Sequence, residues 1–351
     1  MYYKVMALSD LGIKIHLHCF VDQIPHKIDP EVKEMTENVF FYQKKKNPLL
    51  YFSGTPFAAA IRDSETLLKN LEKHKAPILF EGLQTTHIIR FLKDNRHQLY
   101  LRHHNNESEY YKGLSVSEKN PFKKIIYKIE SVKYSGYQKK LLKKFEAVFC
   151  LSEKEYNEVQ TYSENAHLIH IFHGNESVKE LDTKGKYFLF HGDLTTADNK
   201  RALNETIDLF KTLPQYQLVV ASDRASEDIK RKISTVENIS LTPIQTTENL
   251  YRLLKDAHAN ILISYQNSGT KVKLFNTLYN SRFVIINGNI TDDPVLTNLC
   301  LYGDDMSQIR QQIISSAGKD YHDTEKRKEV LEKNHSDKAK ANEIGRIIFK
   351  N

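Results

Sequence analysis

Two lysines, Lys271 and Lys273, open a predicted helix directly after a loop that contains Gly269. Cations at the start of a helix oppose its dipole, so they are unfavourable there unless an anion lies beside them. The unpaired N–H groups of a first helical turn and two ammonium groups together suit phosphate. The alternative is that Gly269 is only a turn glycine and that both lysines are solvated.

The segment 259–287 supplies the elements that would position these lysines. Its sequence is ANILISYQNSGTKVKLFNTLYNSRFVIIN, and it predicts a strand, a loop, a helix and a second strand. The apolar positions 272, 274, 275 and 278 have helical spacing, and the two flanking apolar runs have the length of buried strands. A loop that opens a helix at the carboxyl end of a strand is a favourable place for an anion.

Within this segment, Gly-x-x-x-Lys-Leu-Phe-Asn-x-Leu-x-x-x-x-Phe-Val resembles the donor-site signature of GT-B glycosyltransferases, the retaining, family-4-like group of bacterial envelope polysaccharide synthesis. The resemblance implies that this loop and helix bind the diphosphate of a nucleotide sugar. Asn276 stands where the family usually has a ribose-binding glutamate, and Ser268 where it has another acid; an asparagine can still donate to and accept from a ribose. The donor-binding residues implied here are Gly269, Thr270, Lys271, Lys273, Leu274 and Asn276.

A second donor element is expected in HGDLTTADNKRALNETIDLF, residues 191–210. Gly192 ends a predicted strand, and Arg201 lies near the start of the following helix. The family usually has an arginine beside this glycine and a lysine seven residues later, where this sequence has Asp193 and Asn199. The resemblance implies a leaving diphosphate stabilised by preorganised donors, with no metal ion and no cofactor besides the nucleotide-sugar substrate. A plain strand-to-helix loop is the alternative.

A polar cluster, RHHNNESEYY at 102–111, follows a strand in the first half of the chain. It resembles a cluster that a bacterial subset of the family carries, and the carboxyl end of a strand is where an α/β domain binds ligands. We expect catalytic roles for His104 and Glu107, because a histidine can handle protons near neutral pH. The acceptor-side residues are expected to be Glu81, Arg102 and Asn105. The alternative is a helix N-cap at Asn105 or Asn106.

Strand and helix patterns alternate along the whole chain, which predicts an α/β fold with mostly parallel sheets. We expect the GT-B plan, two Rossmann-like domains whose sheets face a central cleft. The predicted parts are an acceptor-side domain at 1–175, a linker at 176–186, a nucleotide-sugar domain at 187–325, and a C-terminal helix at 326–351 that could cross back to the first domain. The sequence opens on a helix ending at Gly12, so the family's first strand and glycine-rich loop are expected to be missing or supplied differently.

Composition narrows the class of protein. The 351 residues are 40% apolar and 27% charged, which is ordinary for a globular protein. The cysteines Cys19, Cys150 and Cys300 are far apart and lie in or beside apolar runs, so we expect buried thiols in a reducing compartment. Neither a CxxC pair nor an HExxH motif suggests a metal. No apolar run is long enough to span a membrane and no signal peptide is evident, so a cytoplasmic protein is expected.

The net charge of +7 is unevenly distributed. From Lys119 to Lys144 there are nine lysines against one glutamate, Glu130, on a pattern that predicts one or two amphipathic helices with a basic outer face. A solvated surface helix is the plain interpretation. The alternative is peripheral contact with anionic lipid at the inner membrane face. Nucleic acid is not expected, because no recognition motif with interleaved aromatic residues is present.

The resemblance implies a retaining enzyme that transfers a hexose from a nucleotide-diphosphate sugar to a glycan or lipid-linked acceptor in envelope or capsule polysaccharide synthesis. Two other functions stay open from the sequence. One is a non-catalytic relative of the same fold that serves as a binding or scaffold partner. The other is a nucleotide-sugar epimerase of the same architecture, which would need no acceptor.

Overall fold

The computed structural model describes residues 1–93, 97–118, 120–266 and 271–349. Its contacts divide the chain into two compact units. Unit 1 comprises Met1–His170 together with the chain from Lys340 onward, and unit 2 comprises Ile171–Ala339. The predicted linker 176–186 lies within unit 2, where the Lys179 N–H donates to Tyr279 O and the Tyr321 N–H donates to Thr183 O. This segment is therefore packed against unit 2.

Unit 1 alternates strands and helices, as predicted from its sequence. Its strands are β1 (His16–Val21), β2 (Asn38–Gln43), β3 (Ile78–Glu81), β4 (Leu99–His103), β5 (Ala147–Cys150) and β6 (Ala166–Leu168). Its helices are α1 (Tyr2–Ser9), α2 (Pro30–Glu34), α3 (Phe57–Ala60), α4 (Glu65–Glu72), α5 (Glu107–Ser117), α6 (Pro121–Leu141) and α7 (Glu153–Gln160). Three 3-10 helices are found at Pro48–Phe52, Leu83–Arg90 and Leu142–Lys144.

The strands of unit 1 form two parallel sheets, a pair β1-β2 and a four-stranded sheet in the order β3-β4-β5-β6. In the second sheet Glu81 is opposite Arg102, so the carboxyl ends of β3 and β4 lie side by side. Side chains from both sheets, among them Tyr42, Phe80 and Leu101, pack into one core. This arrangement brings the polar residues that follow β3 and β4 to one edge.

Unit 2 contains a six-stranded parallel sheet. Its strands are β7 (Tyr187–His191), β8 (Leu218–Ala221), β9 (Ile239–Thr242), β10 (Ala257–Leu262), β11 (Phe283–Ile286) and β12 (Leu301–Tyr302). The helices are α8 (Ala197–Phe210), α9 (Glu227–Ser234), α10 (Thr247–Asp256), α11 (Val272–Asn280), α12 (Pro294–Thr297), α13 (Met306–Ala317) and α14 (Thr324–Asn334). The last helix, α15 (Asp337–Phe349), begins in unit 2, and its residues from Lys340 onward belong to unit 1.

The strand order in this sheet is β12-β11-β10-β7-β8-β9. The first and fourth strands of the unit, β7 and β10, are therefore neighbours, and the chain runs outward from them in opposite directions. This is the doubly wound order, and the α/β prediction is confirmed in both units. Because helices cover both faces, the central strands are buried, and all six residues of β10 are buried.

Two local patterns predict helices that the structure does not have. The sequence PFAAAIRDSETLLKNLEKH at 56–74 predicts one long helix after Pro56, but the structure has α3 and α4 separated at Ile61–Ser64, where Ser64 caps α4 by accepting from the Leu67 N–H. The sequence THIIRFLKDN at 86–95 also predicts a helix; its last two residues lie outside the described ones, and the structure has a 3-10 helix at Leu83–Arg90. In α6 the lysines predicted for the outer face are exposed, and large apolar side chains are exposed beside them.

Candidate functional site

In unit 2, polar side chains gather at the carboxyl ends of β7 and β10. These strands are neighbours at the point where the strand order reverses, which is where α/β sheets bind ligands. His191 and Gly192 lie at the end of β7, and Ile263 and Ser264 follow β10. The helices α8 and α11 both begin beyond this edge, so their first turns carry N–H groups without intrahelical partners.

The ammonium group of Lys273 lies in the first turn of α11. Its Nζ is 3.5 Å from the carbonyl oxygen of Ile263. Burial lowers the pKa of Lys273 to about 8, against a smaller opposite effect from Asp198. No carboxylate of the described residues lies within ion-pair distance of this Nζ. Burial of a cation is unfavourable unless an opposite charge lies close to it, so Lys273 is a candidate for contact with an anion.

Lys271 precedes α11 at its N-cap position. Its side chain does not cap the helix, and its Nζ donates to the carbonyl oxygen of Gln266 at 3.2 Å. Lys271 also lowers the pKa of Lys273, as expected of a nearby like charge. The structure therefore brings the two predicted lysines together at one helix end.

His191 is a residue of this site that the sequence analysis missed. Its Nε2 is 3.2 Å from Thr277 Oγ1, and that hydroxyl donates its own proton to the carbonyl oxygen of Lys273 at 2.7 Å. The Nε2 must therefore carry the hydrogen and donate it to Thr277. Burial, and then Lys273, lower the pKa of His191 to about 3, so the ring is neutral. The signal in the sequence was a histidine ending a buried strand just before Gly192.

Asp198 ties the two loops of the site together. Its carboxylate accepts hydrogen bonds from the Ser264 hydroxyl at 2.8 Å and from the Tyr265 N–H at 2.7 Å.

The loop before α8 is packed tightly, because a Cβ on Gly192 would lie 3.1 Å from the side chain of Asn199. The Asn199 side chain in turn donates to the carbonyl oxygen of Asp193 at 2.9 Å. Gly192 is therefore fixed by close packing.

Two other predicted donor residues have partners within unit 2. The guanidinium of Arg201 lies 3.7 Å from the centre of the Tyr265 ring, and its Nε is 3.1 Å from Glu205. The Leu274 side chain is fully buried in a core beside β10 and β11, so only its backbone is near the helix start. The predicted Gly269 and Thr270, with Ser268, lie outside the described residues.

Asn276 is the last member of a chain of three amides. Asn280 Nδ2 donates to the carbonyl oxygen of Asn276 at 2.9 Å and to Asn175 Oδ1 at 2.7 Å. Asn175 Nδ2 then donates to Asn276 Oδ1 at 2.9 Å. Because the backbone carbonyl fixes the first amide, it also fixes the orientation of the other two. The half-buried Asn276 consequently keeps its Nδ2 as the group it can offer to a ligand.

In unit 1, Glu81 and His104 form a pair at the ends of β3 and β4. Glu81 Oε2 is 2.9 Å from His104 Nε2, and the Lys4 ammonium pairs with the other oxygen of Glu81. Burial, Lys4 and Arg102 lower the pKa of His104 to about 4, so its Nε2–H donates to Glu81. Nδ1 has no partner among the described residues and can accept a hydrogen bond from a substrate hydroxyl.

The other predicted residues of unit 1 are Arg102, Asn105 and Glu107. Arg102 is buried, and its Nη2 donates to the carbonyl oxygen of His170 at 2.7 Å. Asn105 is exposed, and the cap of α5 is Asn106, which accepts from the Glu109 N–H. Glu107 begins α5, where burial raises its pKa to about 6 while Arg62 acts in the opposite direction. Their catalytic and acceptor-side roles stay predictions.

Comparison with known proteins identifies the fold. Neither a family model nor a curated protein sequence matches the chain. Among solved structures, the sucrose-phosphate synthase from Thermosynechococcus elongatus matches 99% of this chain and 91% of its own, with a TM-score of 0.64 at 13% identity. Anabaena HepE in complex with UDP gives a TM-score of 0.63 at 9% identity, with 99% and 96% of the two chains covered.

WaaG, a glycosyltransferase involved in lipopolysaccharide biosynthesis, gives a TM-score of 0.58 at 8% identity, over the full length of this chain and 95% of WaaG. The chain spans only 54% and 58% of the two TarM chains that it also matches. These likenesses show that the chain has the GT-B fold, and the resemblance that the sequence suggested is confirmed at that level.

Proposed function

We propose that the protein is a glycosyltransferase that transfers a hexose from a nucleotide-diphosphate sugar to a glycan or lipid-linked acceptor. The observation that carries the proposal is the desolvated ammonium of Lys273, which has no carboxylate of the described residues within ion-pair distance. It lies beside the first turn of α11, at the edge of the sheet where the strand order reverses. A diphosphate would supply the missing negative charge.

In this proposal the donor binds to unit 2. Lys273 and Lys271 neutralise the diphosphate, and Asn276 contacts the ribose through its Nδ2. His191 does not touch the ligand; its neutral ring and its bond to Thr277 hold the first turn of α11 in place. Asp198 holds the loop after β10. Positive charge that is already in place stabilises a leaving diphosphate as the glycosidic bond breaks, and no metal ion or other cofactor is required.

The acceptor would bind to unit 1. His104 Nδ1 accepts a hydrogen bond from the attacking hydroxyl, and Glu81 fixes the ring through Nε2. Glu107, Arg102 and Asn105 would serve the same acceptor. The proposal has three further parts. The transfer retains the configuration of the sugar, and the product serves envelope or capsule polysaccharide synthesis. The protein is cytoplasmic, and its segment 119–144 contacts the inner membrane face peripherally.

No helix of the described residues combines the length and the apolar character needed to cross a bilayer. The reaction is tested with purified protein, UDP-hexoses and an acceptor extract that contains both soluble glycans and lipid-linked oligosaccharides. UDP is the first nucleotide to test, because HepE was solved with UDP and with UDP-glucose.

The measurement is radiolabelled hexose transferred to acceptor, with and without EDTA. Transfer that is unchanged by EDTA and abolished in Lys273→Ala supports the proposal. Donor binding without any transfer would make the protein a non-catalytic relative. Conversion of the free sugar nucleotide in the absence of an acceptor would make it an epimerase.

A further inference from the structure

Helix α6 carries an apolar stripe on the side that faces solvent. Its positions repeat every three or four residues over about three turns, so they share one side of the helix. On the other side Glu130, Tyr134, Gln138 and Leu141 are buried in unit 1. The residues of the stripe, with their exposed fractions, are Phe122 (78%), Ile125 (58%), Ile126 (37%), Ile129 (48%) and Val132 (68%).

The helix is held to unit 1 from its other side, independently of the exposed parts of this stripe. There Tyr134 and Leu141 pack into the core of unit 1, and Glu130 Oε2 accepts from the Phe57 N–H at 2.7 Å. Single exposed apolar side chains are normal on a protein surface, but a contiguous row of five marks an interaction surface.

The charges beside the stripe identify its partner. Lys123, Lys124, Lys128 and Lys140 are exposed, and none of them forms an ion pair with a described residue. The one acidic residue of α6, Glu130, is buried. Lysine is depleted at the centres of protein–protein interfaces, whereas at a membrane its stem lies along the apolar layer and its ammonium reaches anionic head groups.

We propose that α6 lies in the plane of an anionic bilayer surface, with the apolar stripe in the boundary between head groups and acyl chains. The four lysines contact the lipid phosphates. An amphipathic helix of 21 residues with such a face binds in this orientation rather than spanning the bilayer. This inference deepens the peripheral membrane contact that is part of the proposed function. Its experiments measure lipid binding without glycosyl transfer, so a failure of lipid binding and a failure of transfer can be told apart.

The first experiment measures partition onto sedimented vesicles of phosphatidylcholine, with or without phosphatidylglycerol. We expect binding only to the anionic vesicles. Lys123→Gln/Lys124→Gln/Lys128→Gln should weaken it by on the order of a hundredfold, at roughly fivefold per lysine. The matched control is Lys211→Gln/Lys230→Gln/Lys255→Gln, which removes the same charge from exposed positions of unit 2 and should leave partition unchanged.

The apolar part of the surface is tested with Ile125→Ser/Ile129→Ser, for which we expect roughly a tenfold loss per residue. Val295→Ser/Ile314→Ser, at exposed apolar positions of unit 2, is its control. Because the chain has no tryptophan, Ile129→Trp also gives a single reporter. Its emission should move to shorter wavelength with anionic vesicles, and that of Val295→Trp should not.

Three results would overturn the proposal. They are equal partition onto both kinds of vesicle, an unshifted emission of Ile129→Trp on anionic vesicles, and a stable dimer in analytical ultracentrifugation that Ile125→Ser/Ile129→Ser dissociates. The last result would assign the stripe to a second copy of the chain.

Discussion

At Lys273 two effects disfavour the charged ammonium. Burial lowers its pKa, and the start of a helix repels a cation. The neighbouring His191 adds no charge, because its own pKa is about 3. The position is therefore unfavourable for the free protein, and a bound anion would relieve it.

We expect Lys273→Ala to weaken the binding of a nucleoside diphosphate by roughly 1.5–3 kcal/mol, which is the usual size of a hydrogen bond to a charged group. Isothermal titration calorimetry with UDP measures this loss. The control is Lys211→Ala, at the exposed position directly after α8, which should bind UDP as the wild type does. An affinity that Lys273→Ala leaves unaltered would remove Lys273 from the donor site.

The pKa of Lys273 predicts that the affinity for a nucleoside diphosphate depends on pH. Its pKa of about 8 in the free protein means that the ammonium is present below that pH and is lost above it. Since the diphosphate needs the charged form, affinity should be highest near pH 7 and should fall as pH rises through 8, by up to tenfold per unit. Calorimetry between pH 7 and 10 follows this, and the decline should be absent in Lys273→Ala. A flat wild-type profile would contradict it.

At the scale of elements, the sequence predicts the helices and strands whose apolar residues have a clear helical or strand spacing. The segment 259–287 predicts a strand, a helix and a second strand, and the structure has β10, α11 and β11 there, with α11 following the apolar spacing of 272–278. The length of β12 is only two residues, which is too short to leave a pattern. For α6 the helical period was correct, but the period alone does not tell which of two apolar faces finds a partner inside the protein.

Some residues of the candidate site could be predicted because their type and their place in the sequence indicate their chemistry. These are the lysines at the start of α11 and the polar residues after β4. His191 and Asp198 were missed because their importance comes from neighbours far away in sequence, Thr277 and Ser264. In the same way, the direction of the Asn276 amide depends on Asn175, which is 101 residues away. Such contacts exist only once the sheet has formed.

An element-level prediction concerns Arg327 of α14, which is almost completely buried. Its guanidinium donates to the carbonyl oxygens of Leu278, Ser281 and Arg282 at the end of α11, and it lies over the ring of Tyr321. Arg327→Met would leave these carbonyl groups unpaired in the interior. We expect it to lower the free energy of unfolding of unit 2 by about 3 kcal/mol or more.

Urea denaturation followed by circular dichroism measures this change. Arg252→Met, at an exposed position of α10, is the matched control and should shift the free energy of unfolding by less than about 0.5 kcal/mol. Equal effects of the two substitutions would show that Arg327 does not hold the end of α11.

At the scale of the molecule, each unit has hydrophobic core clusters of its own. The cluster of unit 1 lies around β3, β4 and β5, and unit 2 has separate clusters on the two faces of its sheet. The residues proposed to bind the donor all belong to unit 2, and those proposed for the acceptor all belong to unit 1. Donor binding and acceptor binding are therefore proposed for different units of the fold, and the assignment of the donor to unit 2 can be tested without an acceptor.

We expect a nucleoside diphosphate alone to slow hydrogen exchange mainly in unit 2. A ligand that binds only the native state stabilises it by about 2.7 kcal/mol at a concentration of 100 Kd, and the amides closest to the ligand gain direct protection as well. With UDP, protection measured by mass spectrometry should be greatest in peptides from 189–200 and 271–280, and should be lost in Lys273→Ala. Peptides from 99–107, which include the His104 cluster, serve as the internal control. If UDP protected those peptides most strongly, the donor would have to be assigned to unit 1, and the roles proposed for the two units would be reversed.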